Sequence, residues 1–329
     1  MTKVYDVAVI GAGPGGMSAT LYASRMGLNT IMIDNGVPGG QLWNTNEIDN
    51  YLGVDGGTAD ELANRMYRHS MKFGAKYQND KVISVIQDNG VYTIIGDEGE
   101  YKALSLIVAT GTSHNKLLPE KEEGIVGISY CTVCDAPFYE DVDVAVVGGG
   151  DSAVESAILL ADVANQVYLI VRRDEFRANP QTVELAKSLD NVKILLNTKV
   201  LDIEADASDT IEYIRVVTTY GGENTVEYSL PVDGLFPNIG ATPNTQFLKR
   251  LPNYNMMGNL QGQIDVDKDN KLSFRHYTTD PYYVHDGLFF VGDITSNLNQ
   301  QVAIAVGDGA NSALNAYKYV LSVRPIKSN

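Results

Sequence analysis

The sequence lacks long apolar runs, an excess of positive charge and a large complement of cysteine. No stretch approaches the roughly 18 consecutive apolar residues that cross a bilayer, so we predict no membrane-spanning segment. Lys and Arg number 25 against 41 Asp and Glu, and the net charge of −16 disfavours nucleic acid and anionic lipid as partners. Two cysteines are too few for the disulfide framework of a small secreted protein.

The first residues of the chain enter a strand pattern directly. They show no basic stretch followed by an apolar run and a small-residue cleavage site, so we expect a soluble, cytoplasmic protein. The chain has 329 residues, of which 44% are hydrophobic. At about 150 residues per domain, this length predicts two domains, each with its own core.

Two segments of the chain, 7–33 and 144–171, resemble each other. Each contains a β-branched run, a glycine cluster, a helical pattern and a second apolar run. This order is typical of the βαβ unit of a parallel sheet. Two hairpins are predicted at 82–95 and 211–230, and a last helix at about 301–321. The sequence therefore predicts an α/β protein with two dinucleotide-binding units.

The first glycine cluster has the spacing of a dinucleotide-binding turn. Gly11, Gly13 and Gly16 allow, in order, a tight turn, a close approach of the backbone to a pyrophosphate, and close packing of helix on strand. Asp34 ends the next strand, where a carboxylate accepts hydrogen bonds from ribose hydroxyls. The alternative is an ordinary glycine-rich turn without a ligand.

The second glycine cluster repeats this spacing with alanine in the third place. It consists of Gly148, Gly150 and Ala153. No acid ends the strand that follows it, so the ribose contact expected for NADH is missing. The sequence therefore predicts a different nucleotide for the second unit than for the first.

Three arginines stand where the acid is missing. Arg172, Arg173 and Arg177 form a local reversal of charge in an acidic chain. Guanidinium groups pair with a 2′-phosphate, so this cluster predicts NADPH rather than NADH. The alternative is a solvated basic segment whose arginines pair with Asp174 and Glu175.

The only cysteines, Cys131 and Cys134, form a C-x-x-C motif followed by Asp135. A zinc site needs four ligands, and the four histidines are scattered, so structural zinc is not expected. A C-x-x-C near a βαβ unit is typical of a redox dithiol. Asp135 is a candidate proton donor and acceptor for the thiolates. The alternative is a pair of buried, inert thiols.

Together these motifs predict an electron path. Electrons pass from a nicotinamide to a flavin, from the flavin to the Cys131–Cys134 disulfide, and from the resulting dithiol to an external disulfide. The flavin site is the one without the arginine cluster.

At this point the sequence resembles a known family, the low-molecular-weight (bacterial-type) thioredoxin reductases, as a divergent member. The resemblance covers nearly the whole chain, and the C-x-x-C-D motif shortly before the second glycine cluster is its most specific part. The matching segments are 11–16, 39–42, 131–135, 148–155, 172–178, 239–245, 292–293 and 307–309.

The resemblance implies two Rossmann-like, three-layer ββα domains. A discontinuous FAD-binding domain would comprise residues 1–115 and 248–329, and a pyridine-nucleotide domain carrying the C-x-x-C would be inserted at 116–247. Members of the family are homodimers, and one domain rotates against the other so that dithiol and nicotinamide take turns at the flavin. The implied activity is reduction of thioredoxin, or a thioredoxin-like protein disulfide, with electrons from NADPH through FAD.

The resemblance also implies roles for residues outside the two glycine clusters. Gly292 and Asp293 would bind FAD, with Asp293 on its ribityl chain. Gln41, Asn50 and Gln301 would lie near the flavin ring.

Some positions depart from the family pattern and leave alternatives open. Val171 replaces the usual His before the paired arginines, and Gln300 replaces an Arg before the last helix. The first alternative keeps the fold and the disulfide chemistry but takes electrons from ferredoxin, flavodoxin or another flavin donor. The second is an FAD- and O₂-dependent dithiol oxidase. The third is a redox-sensing nucleotide-binding module without catalysis.

Overall fold

The computed structural model describes most of the chain. The described residues are 3–44, 48–222, 224–251, 287–295 and 300–324, together with the backbone of short strands at 265–266, 272–273 and 283–285. The chain divides into two compact units, unit 1 (Met1–Ser113 with Thr242–Asn329) and unit 2 (His114–Ala241).

The elements alternate between strands and helices through most of the chain. The strands are β1 (Val4–Ile10), β2 (Thr30–Asp34), β3 (Lys76–Asn79), β4 (Val82–Asp88), β5 (Val91–Gly96), β6 (Glu100–Val108), β7 (Thr112–His114), β8 (Asp143–Val147), β9 (Gln166–Ile170), β10 (Val192–Leu195), β11 (Thr198–Ala205), β12 (Ile211–Tyr220), β13 (Asn224–Pro231), β14 (Gly234–Pro237), β15 (Ala241–Pro243), β16 (Asp265–Val266), β17 (Leu272–Ser273), β18 (Tyr283–His285) and β19 (Leu288–Phe290). The α-helices are α1 (Pro14–Arg25), α2 (Ala59–Ser70), α3 (Thr132–Asp135), α4 (Asp151–Ala161), α5 (Pro180–Lys187) and α6 (Val302–Val323). Short 3₁₀ helices lie at Gly40–Asn44, Ala136–Tyr139, Gln246–Arg250 and Gly292–Ile294.

Unit 1 is built on a sheet in the order β18-β19-β6-β1-β2-β3. Strands β19, β6, β1, β2 and β3 pair in parallel, and β4 and β5 continue from β6 as an antiparallel hairpin. Because both faces of a parallel sheet are covered, its strands are apolar throughout, and six of the seven residues of β1 are buried. The hairpin turns at Asn89 and Gly90, both with positive φ, as the Asn-Gly pair predicts.

The two faces of the unit 1 sheet pack against different layers. Alternate residues of β1, such as Val7 and Val9, pack with helices α1 and α6. The residues between them, such as Ala8 and Ile10, pack with the β4–β5 hairpin. The order of layers is helix, parallel sheet and antiparallel β-layer, as predicted.

Unit 2 repeats this arrangement with its own elements. Its parallel sheet has the order β10-β9-β8-β14. Val144 and Val146 of β8 face the core formed with α4 and α5, whereas Ala145 and Val147 face the antiparallel sheet β11-β12-β13. The predicted fold class, α/β with two dinucleotide-binding domains, is confirmed.

The helix that follows each glycine turn begins earlier than its apolar pattern predicts. The apolar spacing that predicts these helices begins at 17 and 153, whereas α1 and α4 begin at Pro14 and Asp151, directly after the glycine turns. Proline fits the first helical position, and an acid in the first turn complements the helix dipole. The first turns of α1 and α4 carry no apolar stripe, so hydrophobic periodicity does not predict that these turns are helical.

Candidate active site

The two cysteines form a disulfide at the start of a short helix in unit 2. Cys131 precedes α3 and is joined to Cys134 with a Cα–Cα distance of 5.3 Å. The backbone amides of Cys134 and Asp135 both donate to the carbonyl of Cys131 at 3.1 Å. Both cysteines are partly exposed. The spacing therefore produces a closed redox pair held by one helical turn.

Asp135 is held by a serine that the sequence analysis missed. The Ser129 hydroxyl donates to the Asp135 carboxylate at 2.6 Å and accepts from the backbone amide of Cys131 at 3.1 Å. Burial raises the pKa of Asp135, and the hydrogen bond from Ser129 lowers it. Burial, followed by the charge of Asp135, raises the pKa of Tyr139 to about 12. The carboxyl group of Asp135 is thus placed and tuned by its surroundings.

A buried glutamate fixes the segment that leads into the redox helix. Glu122 accepts from the backbone amides of Leu117 and Leu118 at 2.6 and 2.8 Å and from the hydroxyl of Tyr130. The Tyr130 ring stacks on His114 with centroids 4.9 Å apart. Since Tyr130 immediately precedes Cys131, this cluster anchors the first cysteine.

A second set of polar groups ties the redox helix to α4. The Thr132 hydroxyl donates to that of Ser156 at 2.8 Å, and the Asn238 amide donates to the same Ser156 oxygen at 3.2 Å. The Asn238 carbonyl lies so close to Gly148 that a Cβ there would be 2.3 Å from its oxygen. One hydrogen-bonded group thus connects the disulfide segment with the second glycine turn.

The first glycine turn combines two tight positions with one open position. A Cβ on Gly11 would lie 2.3 Å from the Ala109 carbonyl oxygen, and one on Gly16 would lie 1.8 Å from the Gly11 oxygen. At Gly13 the nearest described atom to a Cβ is an α-carbon of Gly40, 3.9 Å away, and φ is −73°. Within the described chain, no packing or backbone reason therefore requires glycine at position 13. The open space at Gly13, called the phosphate cradle below, allows a pyrophosphate to approach the backbone of this turn, and a side chain at position 13 would fill it.

Asp34 lies beside this turn, at the end of β2. Its carboxylate accepts from the backbone amide of Ala12. Burial raises the pKa of Asp34, and hydrogen bonds from the amides of Ala12 and Asn35 lower it. The turn and the acid predicted from the sequence are therefore brought together. The residues present fit the adenosine and pyrophosphate part of FAD.

The residues expected near the flavin ring also lie in unit 1. The Asn50 amide donates to the Gln301 side-chain oxygen at 3.4 Å, and the Gln41 amide donates to the Thr112 carbonyl at 3.0 Å. Gln301 is the N-cap residue of α6. Thr112 carried no recognisable signal in the sequence, because it bonds to a residue 71 positions away.

Gly292 and Asp293 belong to the short 3₁₀ turn Gly292–Ile294, which follows β19. Gly292 has φ +72°, and its amide donates to the buried carboxylate of Asp308 at 3.3 Å. Asp293 is partly exposed. Asp308 belongs to a segment that carries the resemblance, but no role was predicted for it.

The second glycine turn shows the same division into tight and open positions. A Cβ on Gly148 would lie 2.8 Å from that of the buried Ala153, whereas Gly150 has open space within 4 Å and φ −98°. At the central glycine of unit 2, as in unit 1, the described structure leaves open the space that a side chain would fill. A dinucleotide phosphate fits this position.

The three arginines are exposed close to this turn. The Arg177 amide donates to the Gly149 carbonyl at 2.7 Å, which places Arg177 beside the glycines. Within the described residues, none of Arg172, Arg173 and Arg177 forms an ion pair, including with Asp174 and Glu175. The predicted alternative of a self-paired basic segment is therefore not what the structure shows. The guanidinium groups are available to a phosphate.

The described residues show neither a metal cluster nor a membrane-spanning helix. They contain no group of three or more His, Cys, Asp or Glu side chains placed to hold a metal ion. None of their helices has both the length and the apolar character needed to cross a membrane.

Comparisons with known proteins agree with these features. A sequence model of the family "Pyridine nucleotide-disulphide oxidoreductase" matches residues 5–309. The chain is 36% identical to the thioredoxin reductase of Listeria innocua over 320 residues, 97% of this chain and 94% of that protein. It is 36% identical to that of Bacillus subtilis over 322 residues, 97% and 95% of the two chains.

Solved structures give the same result. The thioredoxin reductase of Streptococcus pyogenes superimposes with a TM-score of 0.82 at 31% identity, covering 98% of this chain and 100% of that one. That of Giardia duodenalis gives 0.84 at 26% identity, covering 97% and 100%.

The chain therefore belongs to the pyridine nucleotide-disulphide oxidoreductase family of flavoprotein oxidoreductases. Its place there is with the bacterial-type thioredoxin reductases, which use FAD and NADPH. The resemblance stated from the sequence motifs is confirmed.

Proposed function

We propose that this protein reduces thioredoxin, or a thioredoxin-like protein disulfide, through Cys131 and Cys134, with FAD as its resident cofactor and NADPH as donor. The observation that carries the proposal is the disulfide with its adjacent carboxyl group, held in the same unit as a nucleotide turn. The names of the relatives support thioredoxin as the substrate. A homodimer in the cytoplasm is part of the proposal and rests on the resemblance.

In this proposal each predicted residue has a role. Gly11, Gly13, Gly16 and Asp34 bind the adenosine and pyrophosphate of FAD, Asp293 binds its ribityl chain beside Gly292, and Gln41, Asn50 and Gln301 lie by its ring. Gly148, Gly150, Ala153 and the three arginines bind NADPH. Bound FAD supplies two-electron transfer between a nicotinamide and a disulfide.

The dithiol then acts on the partner. One sulfur of the reduced pair attacks the partner's disulfide, a mixed disulfide forms, and the second sulfur resolves it, so that Cys131–Cys134 is reoxidised. Asp135 exchanges protons with these sulfurs. The exposed arginines that lack ion pairs support NADPH over NADH, because a 2′-phosphate supplies the missing negative charge.

The experiment that tests the proposal is an anaerobic titration of the yellow holoprotein, with its visible spectrum recorded. We expect about two equivalents of NADPH to bleach the flavin, because the first two electrons pass on to the Cys131–Cys134 disulfide. NADH should bleach it far less effectively, and oxidised thioredoxin should restore the colour. The Cys134→Ser variant should bleach but fail to reduce thioredoxin. Failure of wild-type protein to reduce thioredoxin after bleaching would overturn the proposed substrate.

A donor other than NADPH is the second candidate. Val171 is buried, and its side chain packs so close to Gly149 that a Cβ on this glycine would lie 2.8 Å from it. An apolar side chain at position 171 offers no polar group to a nucleotide. If reduced ferredoxin or flavodoxin bleaches the flavin and NADPH does not, this candidate replaces the first. Rapid O₂ consumption with small dithiols, without thioredoxin reduction, would instead indicate a dithiol oxidase.

A further inference from the structure

We propose that Ser129 is a positioning residue for the dithiol chemistry, because it holds the carboxyl group of Asp135 and the backbone of Cys131 in one fixed arrangement. The inference rests on the proposed function only in taking Asp135 as the proton-exchanging group. It assigns a role to a side chain outside the C-x-x-C-D motif.

The geometry around Ser129 is closed on both sides. Its side chain is buried, with a relative exposure of 5%. The hydroxyl has one proton, which it donates to the Asp135 carboxylate at 2.6 Å, and its oxygen accepts from the Cys131 amide at 3.1 Å. A single buried oxygen thus joins the first cysteine to the acid four residues later.

These two hydrogen bonds link the acid and the disulfide mechanically. Cys131 adopts φ −126° and ψ 87° outside the helix. Within the described structure, its backbone amide donates to the Ser129 hydroxyl oxygen. The Asp135 amide already bonds to the Cys131 carbonyl. With the Ser129 bridge added, both the backbone and the carboxyl group of Asp135 are fixed relative to the cysteine.

The chemistry explains why a fixed carboxyl group matters. Reduction of the disulfide breaks the S–S bond, takes up two electrons and two protons, and gives two thiols. In the opposite direction, when the dithiol reduces an external disulfide, two electrons leave with the partner's sulfurs and the protons must be removed from the thiols. An ionised Asp135 accepts one of these protons, and the other passes to the partner's released thiolate or to solvent. The reaction therefore slows as pH falls through the pKa of Asp135.

The hydroxyl of Ser129 sets the charge state of this group. A donor that bonds to the carboxylate favours the ionised form and lowers its pKa, against the effect of burial. Removing the donor therefore shifts the pKa of Asp135 upward. At a given pH, a smaller fraction of the protein molecules then has Asp135 ionised.

Titratable side chains also lie on the elements that precede, follow or contact α3. Tyr139, on the following 3₁₀ turn, has a pKa of about 12 and stays neutral across the working range. On α4 the acids are Asp151 and Glu155, of which Glu155 is exposed. In the preceding segment Glu122 accepts from Tyr130 and two backbone amides. The two thiols of the reduced pair complete the set.

The experiment uses the full-length holoprotein, chemically reduced and freed of reductant, with 5,5′-dithiobis(2-nitrobenzoate) as a small disulfide. The rate of a single turnover is measured from the released aromatic thiolate over a range of pH. The fall in rate at low pH that depends on Asp135 is called the acid limb of this profile. Asp135→Asn identifies it, because this variant has no carboxyl group to titrate and should lose the limb. No nicotinamide and no thioredoxin is needed.

For Ser129→Ala we expect the acid limb to move upward by about one pH unit, since a hydrogen bond to a charged group contributes on that scale. The rate should return to within about twofold of wild type well above the shifted pKa, because the thiols themselves are unchanged. Ser129→Thr keeps the hydroxyl and should retain the wild-type limb. Ser188→Ala, which removes an exposed hydroxyl of the same unit that donates to the Leu185 carbonyl at 2.7 Å, is the matched control and should leave the acid limb in place.

The proposal is overturned if the Ser129→Ala limb coincides with that of wild type, if Ser188→Ala moves it equally, or if Asp135→Asn keeps it. Each variant is compared at equal flavin content, so that loss of folding is not read as loss of positioning. If reduced wild-type protein reacts with the small disulfide but not with thioredoxin, only the proposed substrate fails. The two hypotheses are therefore separable.

Discussion

The side-chain amide of Asn50 donates to the side-chain oxygen of Gln301 at 3.4 Å, across 251 residues of sequence. One residue follows the first βαβ segment, and the other caps the last helix of the described chain. Both were expected by resemblance to lie near a flavin ring. Their contact shows that unit 1 brings the two halves of its discontinuous sequence together at one place.

This contact gives the first prediction, on Gln301→Ala. The hydrogen bond is long and exposed, so we expect the free energy of unfolding to change by less than about 0.5 kcal/mol. If the flavin ring lies here, its fluorescence and its rate of reduction should change severalfold. The matched control is Gln246→Ala, whose amide donates only to the nearby Pro243 carbonyl. Unchanged flavin properties in Gln301→Ala would place the ring elsewhere.

The second prediction separates the open glycine of the first turn from a tight one. Gly13 is the N-cap residue of α1 with an extended backbone, where serine is favoured, so Gly13→Ser should stabilise the apoprotein by a few tenths of a kcal/mol. The same side chain fills the phosphate cradle and should lower FAD affinity by about tenfold or more. Chemical unfolding of apoprotein and flavin titration measure the two effects.

Gly16→Ala is the comparison for this variant. Its Cβ would be 1.8 Å from the Gly11 oxygen, so it should reduce the folded yield itself. Equal FAD affinity in Gly13→Ser and wild type would contradict the assignment of the cradle to a pyrophosphate.

The third prediction concerns nucleotide choice. Replacing both Arg172 and Arg173 by Ala removes two exposed guanidinium groups, which should lower kcat/KM for NADPH by about 10- to 100-fold and leave the low activity with NADH nearly unchanged. Steady-state kinetics with both nucleotides measures the ratio. Lys193→Ala removes an exposed cation from β10 of the same unit and should alter neither. A parallel loss with NADH and NADPH would argue against recognition of a 2′-phosphate.

The fourth prediction follows from the raised pKa of Asp135. Burial disfavours the ionised carboxylate, so the folded state is destabilised at pH values above the raised pKa, and this cost disappears as pH falls below the ordinary value of 3.8. Asp135→Asn should therefore raise the melting temperature near neutral pH, and the gain should shrink toward about pH 4. Calorimetry over this range, with the exposed Asp162→Asn as control, checks the sign. A gain that grows on acidification would show that the carboxylate is stabilised by its surroundings.

Local patterns predicted much of the fold. Glycine turns after β-branched runs located β1 and β8, and the Asn-Gly pair located the β4–β5 hairpin. These features depend on a few adjacent residues, whose backbone preferences are readable in sequence. Strand β11 was missed because its alternation is interrupted by polar residues on a half-exposed face. Its partner is determined by tertiary packing rather than by propensity.

The candidate site was only partly predictable for the same reason. Cys131, Cys134 and Asp135 stand in one recognisable motif, but Ser129, Ser156 and the role of Asp308 emerge only when their hydrogen bonds are seen. Ser129 lies two residues before the motif and has no distinguishing composition. Ser156, on α4, accepts from Asn238, which follows β14 and lies 82 residues away in sequence. Contacts of this kind are set by the assembled layers.

The open glycines at positions 13 and 150 affect the stability of the apoprotein, before a nucleotide binds. In the described chain, helices α1 and α4 begin without a side-chain cap, whereas α5 begins with Asn179, which accepts from an amide of its own first turn. The leading amides of α1 and α4 are left for phosphate oxygens to complete. The first turn of α1 is therefore expected to fray until flavin binds, and a supply of flavin during growth should raise the amount of protein that survives proteolysis.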